Sequence, residues 1–258
     1  SNTKGPIKKV LKKLEKRQRS HLLKDITEVK DGKRVFIWNE EVRPVSDEVQ
    51  TAIKQVLPQY EIQDIALKYG SGTASIGLKR FYILVEGQTD AAGAEDLVLE
   101  MKEVRTAIPA YFMRYSERFW SAFEHQGARV VGTQKAMHHL EDPHLTYVTM
   151  DGQEYYVRER SPYKKKVKPK HYQSIEDYIV TAEIMGKIAA KIHARADIDY
   201  SDAFTYHSED EILEKIGQHR KLFVESTVLQ AIHYKQLVYS DFELFKDWAH
   251  GKYPDVFN

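Results

Sequence analysis

The apolar positions in the middle of the chain follow the spacing of β-strands. Three segments are rich in strand-forming residues, and we interpret them as successive strands: EIQDIALKY (61–69), LKRFYILVE (78–86) and EDLVLEMKE (95–103). Short polar links join these segments, which favours antiparallel pairing of neighbours within one sheet. Around an Asp-Gly turn, HLTYVTM (144–150) and QEYYVRE (153–159) predict a hairpin, so that five strands are expected in this sheet. RVFIW (34–38), which follows another Asp-Gly turn, predicts a further short strand nearer the N-terminus.

Helical spacing of apolar residues dominates the rest of the chain. Residues 4–24 predict one amphipathic helix with a strongly basic outer face. Ser46 is of the type that caps helix N-termini, and it predicts a helix that ends before Pro58. Residues 125–140 predict a helix between the third and the fourth strand, and from Ser174 onward the chain reads mostly as helix.

These elements predict an α+β fold in which an antiparallel five-stranded small lobe is followed by a helical lobe. We expect an N-terminal helical and strand segment over residues 1–60, the small lobe over 61–160 and the helical lobe over 161–258. A single helix between the third and the fourth of five strands is the layout of the kinase-like small lobe, so the sequence favours that fold.

Composition narrows the classes of function. The chain contains no cysteine, which excludes disulfides, thiolate metal sites and cysteine nucleophiles. No apolar run approaches the roughly 20 residues of a membrane span. Because the formal net charge is only +1, there is no global field to attract nucleic acid or acidic membranes. We therefore expect a cytoplasmic protein with no membrane partner.

Two local basic runs, residues 4–24 and 160–173, stand out against this neutral background. Each could contact RNA or an acidic partner. The first lacks interleaved aromatic residues, which favours a solvated helix face, and the second is favoured as a solvated linker between the lobes. Nucleic acid is therefore not favoured as a partner by the sequence.

A glycine-rich segment joins the first two predicted strands. Glycine lets backbone N–H groups approach a ligand closely, and a polyphosphate gains most from such a cradle. A glycine-rich loop is by itself weak evidence for phosphate binding. The alternative is a hairpin loop with a purely structural role. The candidate phosphate-binding residues of this loop are Gly70, Ser71, Gly72, Thr73, Ser75 and Gly77.

Lys102 strengthens the nucleotide interpretation. It lies in the third predicted strand, where alternation places it on the same face as Glu100, and a buried lysine needs an anionic partner. A glycine loop followed by a strand lysine is the layout that protein kinases use for nucleotide phosphates. We expect ATP or another nucleotide with Mg²⁺ as the ligand; the alternative is a structural sheet with Lys102 at an edge.

Five segments resemble the bacterial domain of unknown function 2252 family, in the order in which they occur there. They are YGSGTASIGLKRFYILVEG (69–87), LVLEMKEVR (97–105), HQGARVVGTQKAM (125–137), EYYVRER (154–160) and GKIAAKIHARAD (186–197). The resemblance covers roughly Leu11 to Asp199. It implies a kinase-like fold with a nucleotide site, in a family whose biochemical function is not established.

The resemblance also implies further site residues. Gln134 occupies the helix where kinases hold the strand lysine with a glutamate, and the backbone of Glu159 and Arg160 corresponds to the linker that contacts adenine. His193 and Arg195 lie at a helix end expected beneath the nucleotide. An equally supported alternative is that these two cations complement the C-terminal dipole of that helix.

The sequence departs from the family pattern at its catalytic segments. Family members carry, upstream of the glycine segment, a Gly-Asp-x-His-x-x-Asn-Phe-Gly segment and an Asp-rich segment that resemble the catalytic loop and the metal-binding Asp of kinases. This chain contains neither, and residues 198–211 lack the catalytic-loop pattern. The composition around Asp197 and Asp199 is that of a turn more than of a metal site.

We therefore expect a C-terminal portion of a longer protein. On this interpretation the chain has no catalytic residues and no metal ligands of its own, and the missing N-terminal segment is an expected partner. Such a chain binds a nucleotide but transfers no phosphoryl group by itself. The alternative, from another class of function, is a non-catalytic scaffold or interaction domain on the same fold.

Overall fold

A computed structural model of the chain describes residues 5–70, 72, 75–87, 96–112, 123–200 and 205–257. The chain divides into two compact units, residues 1–196 and residues 197–258. The first unit contains every strand in the described part of the chain, and the second is helical. No described helix combines the length and the apolar composition needed to cross a lipid bilayer.

The described helices are numbered in chain order. In the first unit they are α1 (Gly5–Leu14), α2 (Arg19–Ile26), α3 (Asp47–Val56), α4 (Pro109–Phe112), α5 (Gln126–Met137) and α6 (Ile175–His193). In the second unit they are α7 (Ser208–Ile216), α8 (Arg220–Lys252) and α9 (Pro254–Phe257). A short 3₁₀ turn, Pro169–His171, lies in the basic segment that precedes α6.

The strands form two antiparallel sheets. They are β1 (Thr27–Lys30), β2 (Lys33–Phe36), β3 (Val42–Pro44), β4 (Ile62–Lys68), β5 (Arg80–Val85), β6 (Leu97–Val104), β7 (Thr146–Met150) and β8 (Gln153–Glu159). β1 and β2 form a hairpin, and the other six pair in the order β3-β4-β5-β6-β8-β7. The α+β class, the antiparallel pairing and the three predicted central strands are thus confirmed.

The sheet contains the five strands predicted over residues 61–160 and also a sixth, because β3 pairs with β4 at its edge. β3 is only three residues long and ends at Pro44, which has no N–H to donate. An edge position tolerates proline, but three residues are too few to show an alternating pattern.

The prediction of one helix over residues 4–24 was also wrong. The chain breaks between α1 and α2, where Gln18 is extended and its backbone N–H donates to His21 Nδ1 at 3.1 Å. The two helices bury different side chains: Val10 of α1 is buried near α6, whereas Leu23 of α2 packs on the large sheet. A single straight helix could not pack against both α6 and the large sheet.

The predicted hairpin turn and the two predicted helix caps are confirmed. Asp151 and Gly152 both have positive φ and close the β7–β8 hairpin, which is the two-residue turn that suits the twist of paired strands. Ser46 caps α3 by accepting from Val49 N, and Ser174 caps α6 by accepting from Asp177 N.

The large sheet separates two apolar layers. On one face Ile53 and Leu57 of the α3 region pack on fully buried side chains that include Ile83 and Leu99. On the other face Leu23 and Phe36 pack on Tyr82 among others. This second face also carries the charged residues described next, because the alternation of β5, β6 and β8 sends every second side chain to it.

Candidate phosphate site

Three neighbouring strands place a group of basic side chains on one face of the sheet. In the register of β5 and β6, Arg80 lies opposite Lys102, and in that of β6 and β8, Glu100 lies opposite Arg158. Residues 100 and 102 share a face because they are two apart on one strand. Arg80, Lys102 and Arg158 therefore surround Glu100, and Arg160, just beyond β8, also acts on its charge.

Glu100 is the buried carboxylate of this group, with only 4% of its surface exposed. Arg158 Nη2 and Nε donate to Glu100 Oε2 at 2.7 and 3.1 Å, and Arg80 Nη1 lies 3.4 Å from Oε1. Burial acts to raise the pKa of Glu100, but the Arg158 hydrogen bond and the charges of Arg158 and Arg80 outweigh it, so this pKa is lowered. Glu100 is ionised at neutral pH.

Lys102 is half-buried and carries the least satisfied charge of the group. Within the described part of the chain its ammonium has neither a hydrogen bond nor an ion pair. Burial, followed by repulsion from Arg80, lowers the pKa of Lys102, and the attraction of Glu100 only partly compensates. A ligand with negative charge would remove this repulsion.

Arg160 is held by an aromatic ring rather than by a carboxylate. Its Nη1 donates to the Tyr82 hydroxyl, and its guanidinium carbon lies 4.4 Å from the centre of the Tyr82 ring. Arg160 Nε is buried and has no hydrogen-bond partner among the described residues. The guanidinium therefore retains an unused donor beside the charged group.

One described residue of the glycine loop, Ser75, is tied to the same face. Arg80 Nη2 donates to Ser75 Oγ at 3.2 Å, so the residue opposite Lys102 in the register also contacts the loop. Gly70 has φ +67°, and a Cβ there would lie 3.0 Å from the carboxyl carbon of Glu41. Gly77 has φ +75°, and Arg105 donates to its carbonyl at 3.2 Å.

Glycine is required at both ends of the loop for these reasons. Gly72, between them, accepts the backbone N–H of Ser75 at 2.8 Å. Ser71 and Thr73, two of the predicted phosphate-binding residues, lie outside the described residues.

A cleft of about 550 Å³ adjoins the charged group. Its lining includes Glu100 and Arg158 together with Glu159, Arg160 and Ser161 of the predicted linker. Lys102 does not line this cleft; it lies one register step further along the sheet, beside Arg80. The cleft and the lysine thus occupy opposite ends of one basic surface.

Glu159 has its side chain engaged on the other side of the linker. Its two carboxylate oxygens accept from Arg19 Nε and Nη2 at 2.7 and 2.9 Å, and its backbone N–H donates to Asp142 Oδ2 at 2.7 Å. These bonds hold the linker against α2 and against the segment before β7. They position the cleft, and they occupy the Glu159 carboxylate.

The structure does not bring the remaining predicted residues to Lys102. Gln134 is half-buried on α5, and among the described residues it makes no hydrogen bond with the lysine. His193 is exposed at the end of α6. Arg195 Nη2 donates to the His138 carbonyl at 3.3 Å, which joins the chain after α6 to the C-terminal end of α5. This contact involves the end of α5, whereas the alternative drawn from the sequence concerned the dipole of α6 itself.

One group of side chains in the second unit offers metal-ligand atoms. Those of Asp197, Asp199, His207 and Glu209 lie within 4.8 Å of one another. The buried Asp197 carboxylate already accepts the backbone N–H groups of Asp199 and Ser208, at 3.0 and 3.2 Å. These bonds account for its position without an ion, in keeping with the turn composition of this segment.

The sequence interpretation missed Arg80, Glu100 and Arg158 as members of the group. A signal was available: Glu100 and Lys102 alternate in an otherwise apolar strand, and a buried charge demands partners of opposite sign. Which arginines supply those partners depends on strand pairing, since Glu100 and Arg158 are 58 residues apart.

Residues 1–248 match the model of a family described as an uncharacterized protein conserved in bacteria, DUF2252. The chain belongs to this family. The expected family resemblance is therefore confirmed, and the match extends beyond residues 11–199 over nearly the whole chain. No curated protein and no solved structure shows significant similarity to this DUF2252 chain.

Proposed function

We propose that this chain binds the phosphates of a nucleotide, with ATP as the reference ligand, at the surface formed by Arg80, Lys102 and Arg158. The observation that carries the proposal is the imbalance of charge: four basic side chains share one buried carboxylate, and the Lys102 ammonium has no partner among the described residues. A phosphate chain supplies the missing negative charge and several acceptors for the free donors.

The arrangement of elements supports a kinase-like interpretation of this site. Five strands, β4 to β8, include α5 between the third and the fourth, and the glycine loop lies between the first two. The lysine is on the third of these strands, as in the nucleotide sites of protein kinases. In the proposed pose the phosphates lie along Arg80 and Lys102, and the nucleoside lies in the cleft beside residues 159–161.

A Mg²⁺ ion would arrive with the nucleotide phosphates. Glu100, the carboxylate of this face, is already engaged by Arg158 and Arg80. The described residues of this face therefore offer the metal no free ligand, and the chain contributes binding and charge compensation only.

The alternative function is a non-catalytic scaffold or interaction domain. It is favoured by the extent to which the basic groups are already satisfied within the protein: Arg158 by Glu100, and Arg160 by Tyr82. Nucleotide binding separates the two functions, because a scaffold that has lost its ligand retains the fold without affinity for ATP.

Replacing Lys102 with methionine tests the proposal. We expect the affinity for ATP to fall by about 1–3 kcal/mol, roughly 5- to 150-fold, because a charge-assisted contact is removed while the apolar stem is kept. Titration calorimetry with the intact chain measures this change. Lys54→Met is the matched control, since Lys54 is exposed on α3 against the opposite face of the sheet.

Two results would contradict the proposal. If Lys102→Met and the unchanged chain bound ATP with equal affinity, Lys102 would not be part of the nucleotide site. If the unchanged chain did not bind ATP at all, the scaffold function would be favoured instead.

The same chain is expected to show no phosphoryl transfer. Catalysis of this reaction depends on metal-holding carboxylates and on a residue that orients the acceptor, and the resemblance places both upstream of the glycine segment. Incubation with Mg²⁺-ATP, followed by detection of released phosphate, measures turnover. Hydrolysis that is present in the unchanged chain and lost in Lys102→Met would show that catalytic carboxylates exist within these 258 residues.

A further inference from the structure

The two basic runs of the sequence meet in the folded first unit. Two adjoining cavities, of about 630 and 390 Å³, share Lys13, Lys165 and His171 in their linings. One wall comes from α1 and the turn after it, and the other from the segment that precedes α6. We call this the basic groove, residues 9–17 and 164–171.

The walls of the groove are rich in uncompensated positive charge. The helix side contributes Lys9, Lys12, Lys13, Lys16 and Arg17, and the facing segment contributes lysines at positions 164, 165, 166, 168 and 170. Glu15 is the one acidic side chain in these linings, and Arg17 pairs with Asp25 at 2.8 Å. In the described part of the chain, none of these lysines forms an ion pair.

Such a groove costs free energy unless an anion occupies it. Like charges on facing walls repel, and at physiological ionic strength the Debye length of about 8 Å leaves short-range repulsion only partly screened. The groove is elongated, since the second cavity continues through Arg17 and Lys164 to the cleft beside residues 158–161. A chain of negative charges fits this shape better than a single phosphate.

Exposed aromatic rings flank the groove. Tyr163 precedes Lys164 and is 55% exposed, while the half-buried Tyr172 follows His171 and stacks on the exposed Tyr178 with ring centres 4.1 Å apart. Lysines contact phosphates as hydrated point charges without reading base edges, and aromatic rings stack on unpaired bases. An acidic peptide would use the charges but not the rings.

We propose that the basic groove binds single-stranded nucleic acid without sequence preference. This inference does not depend on the nucleotide site, because it rests on the lysines of residues 9–17 and 164–171, although the groove adjoins the cleft proposed for the nucleoside. In the sequence, the first run lacks interleaved aromatic residues and the second is favoured as a solvated linker, so neither favours nucleic acid. The folded chain adds the second wall of cations and the flanking tyrosines.

The experiment is a salt titration of binding to a labelled oligouridylate of about twenty nucleotides, followed by fluorescence anisotropy. We expect binding at low salt, with log affinity falling linearly with log salt by about 0.7 per phosphate neutralised. In the double variant Lys13→Gln and Lys165→Gln the slope should be less steep by about 1.4, and the affinity at low salt should fall roughly tenfold or more.

Lys33→Gln with Lys54→Gln is the matched control, because it removes the same charge at exposed positions outside the groove. Tyr178→Leu tests for stacking and should weaken binding about fivefold or more. The groove variant Lys13→Gln with Lys165→Gln should retain its affinity for ATP, so a failure of this proposal is distinguishable from a failure of the nucleotide proposal.

Three outcomes would overturn the proposal. The first is absence of oligouridylate binding at low salt. The second is an equal loss in the groove variant and in the control, which would show that net charge alone is responsible. The third is competition by polyglutamate or inorganic polyphosphate as effective per charge as the oligonucleotide, with no effect of Tyr178→Leu, which would identify a general polyanion surface.

Discussion

Replacement of Glu100 by glutamine is expected to lower the free energy of unfolding by about 3 kcal/mol. The substitution keeps the size of the side chain but removes the carboxylate that accepts from Arg158 and pairs with Arg80. Breaking a buried pair on one side leaves the other charge uncompensated, at a cost of about 3–5 kcal/mol. We expect the lower end of this range because the Arg158 side chain is 41% exposed.

The same carboxylate predicts a dependence of stability on pH. Because the pKa of folded Glu100 is below its ordinary value of 4.5, its ionised form stabilises the fold at pH values above 4.5. This contribution is lost as the pH falls from 4.5 through the folded pKa. The unchanged chain should therefore lose stability more steeply in acid than Glu100→Gln does.

Denaturant unfolding, repeated at neutral and acidic pH, measures both effects. Glu183→Gln is the matched control: Glu183 pairs with Lys187 on an exposed helix surface, where such pairs contribute only about 0.3–0.5 kcal/mol. If Glu100→Gln were no less stable than Glu183→Gln, the arginines would be solvated without the carboxylate. The basic side chains at the proposed phosphate site would then not need a negatively charged partner, and the main argument for phosphate binding would fail.

Replacement of Gly127 by alanine should lower the free energy of unfolding by about 2 kcal/mol. Gly127 is buried in the first turn of α5, where a Cβ would lie 2.5 Å from the backbone oxygen of Tyr155. Neither backbone can yield without a shift of α5 away from β8, and overpacking of this kind costs about 1–3 kcal/mol. The shift would also disturb Val131, which packs on Tyr156.

For Gly132→Ala, in the same helix, we expect the free energy of unfolding to rise instead of fall. Among the described residues, a Cβ at Gly132 meets only Phe123, at an ordinary 3.8 Å, so alanine should stabilise the helix by about 0.5–1 kcal/mol. Thermal or denaturant unfolding of the two variants compares them directly. Two changes of the same sign would show that the close approach of Gly127 to β8 does not control the docking of α5.

Folding brings Arg80 and Arg158 next to Glu100, although no sequence motif connects these three residues. Lys102 was recognised as a charge in an apolar strand, whereas Arg80 and Arg158 are unremarkable arginines until strand pairing places them beside Glu100. The short strand β3 was missed for a related reason. Its three residues become a strand only because β4 presents an open edge.

The structural features that the sequence predicts correctly are local, because each depends on residues a few positions apart. Asp151-Gly152 determines a hairpin turn, Ser46 and Ser174 determine helix starts, and alternation determines that Glu100 and Lys102 share a face. Backbone sterics and hydrogen bonds within one turn or one strand suffice for each of these.

Only the tertiary structure decided which distant segments meet. It paired Glu100 with Arg158 across 58 residues, brought Gly127 against the Tyr155 carbonyl, and faced α1 with the lysines of residues 164–170 across one groove. Such contacts depend on chain topology and on the burial of apolar layers from separate elements, which no local pattern encodes. The two basic runs, each interpreted as solvated surface in the sequence, therefore become a candidate binding surface only in the folded chain.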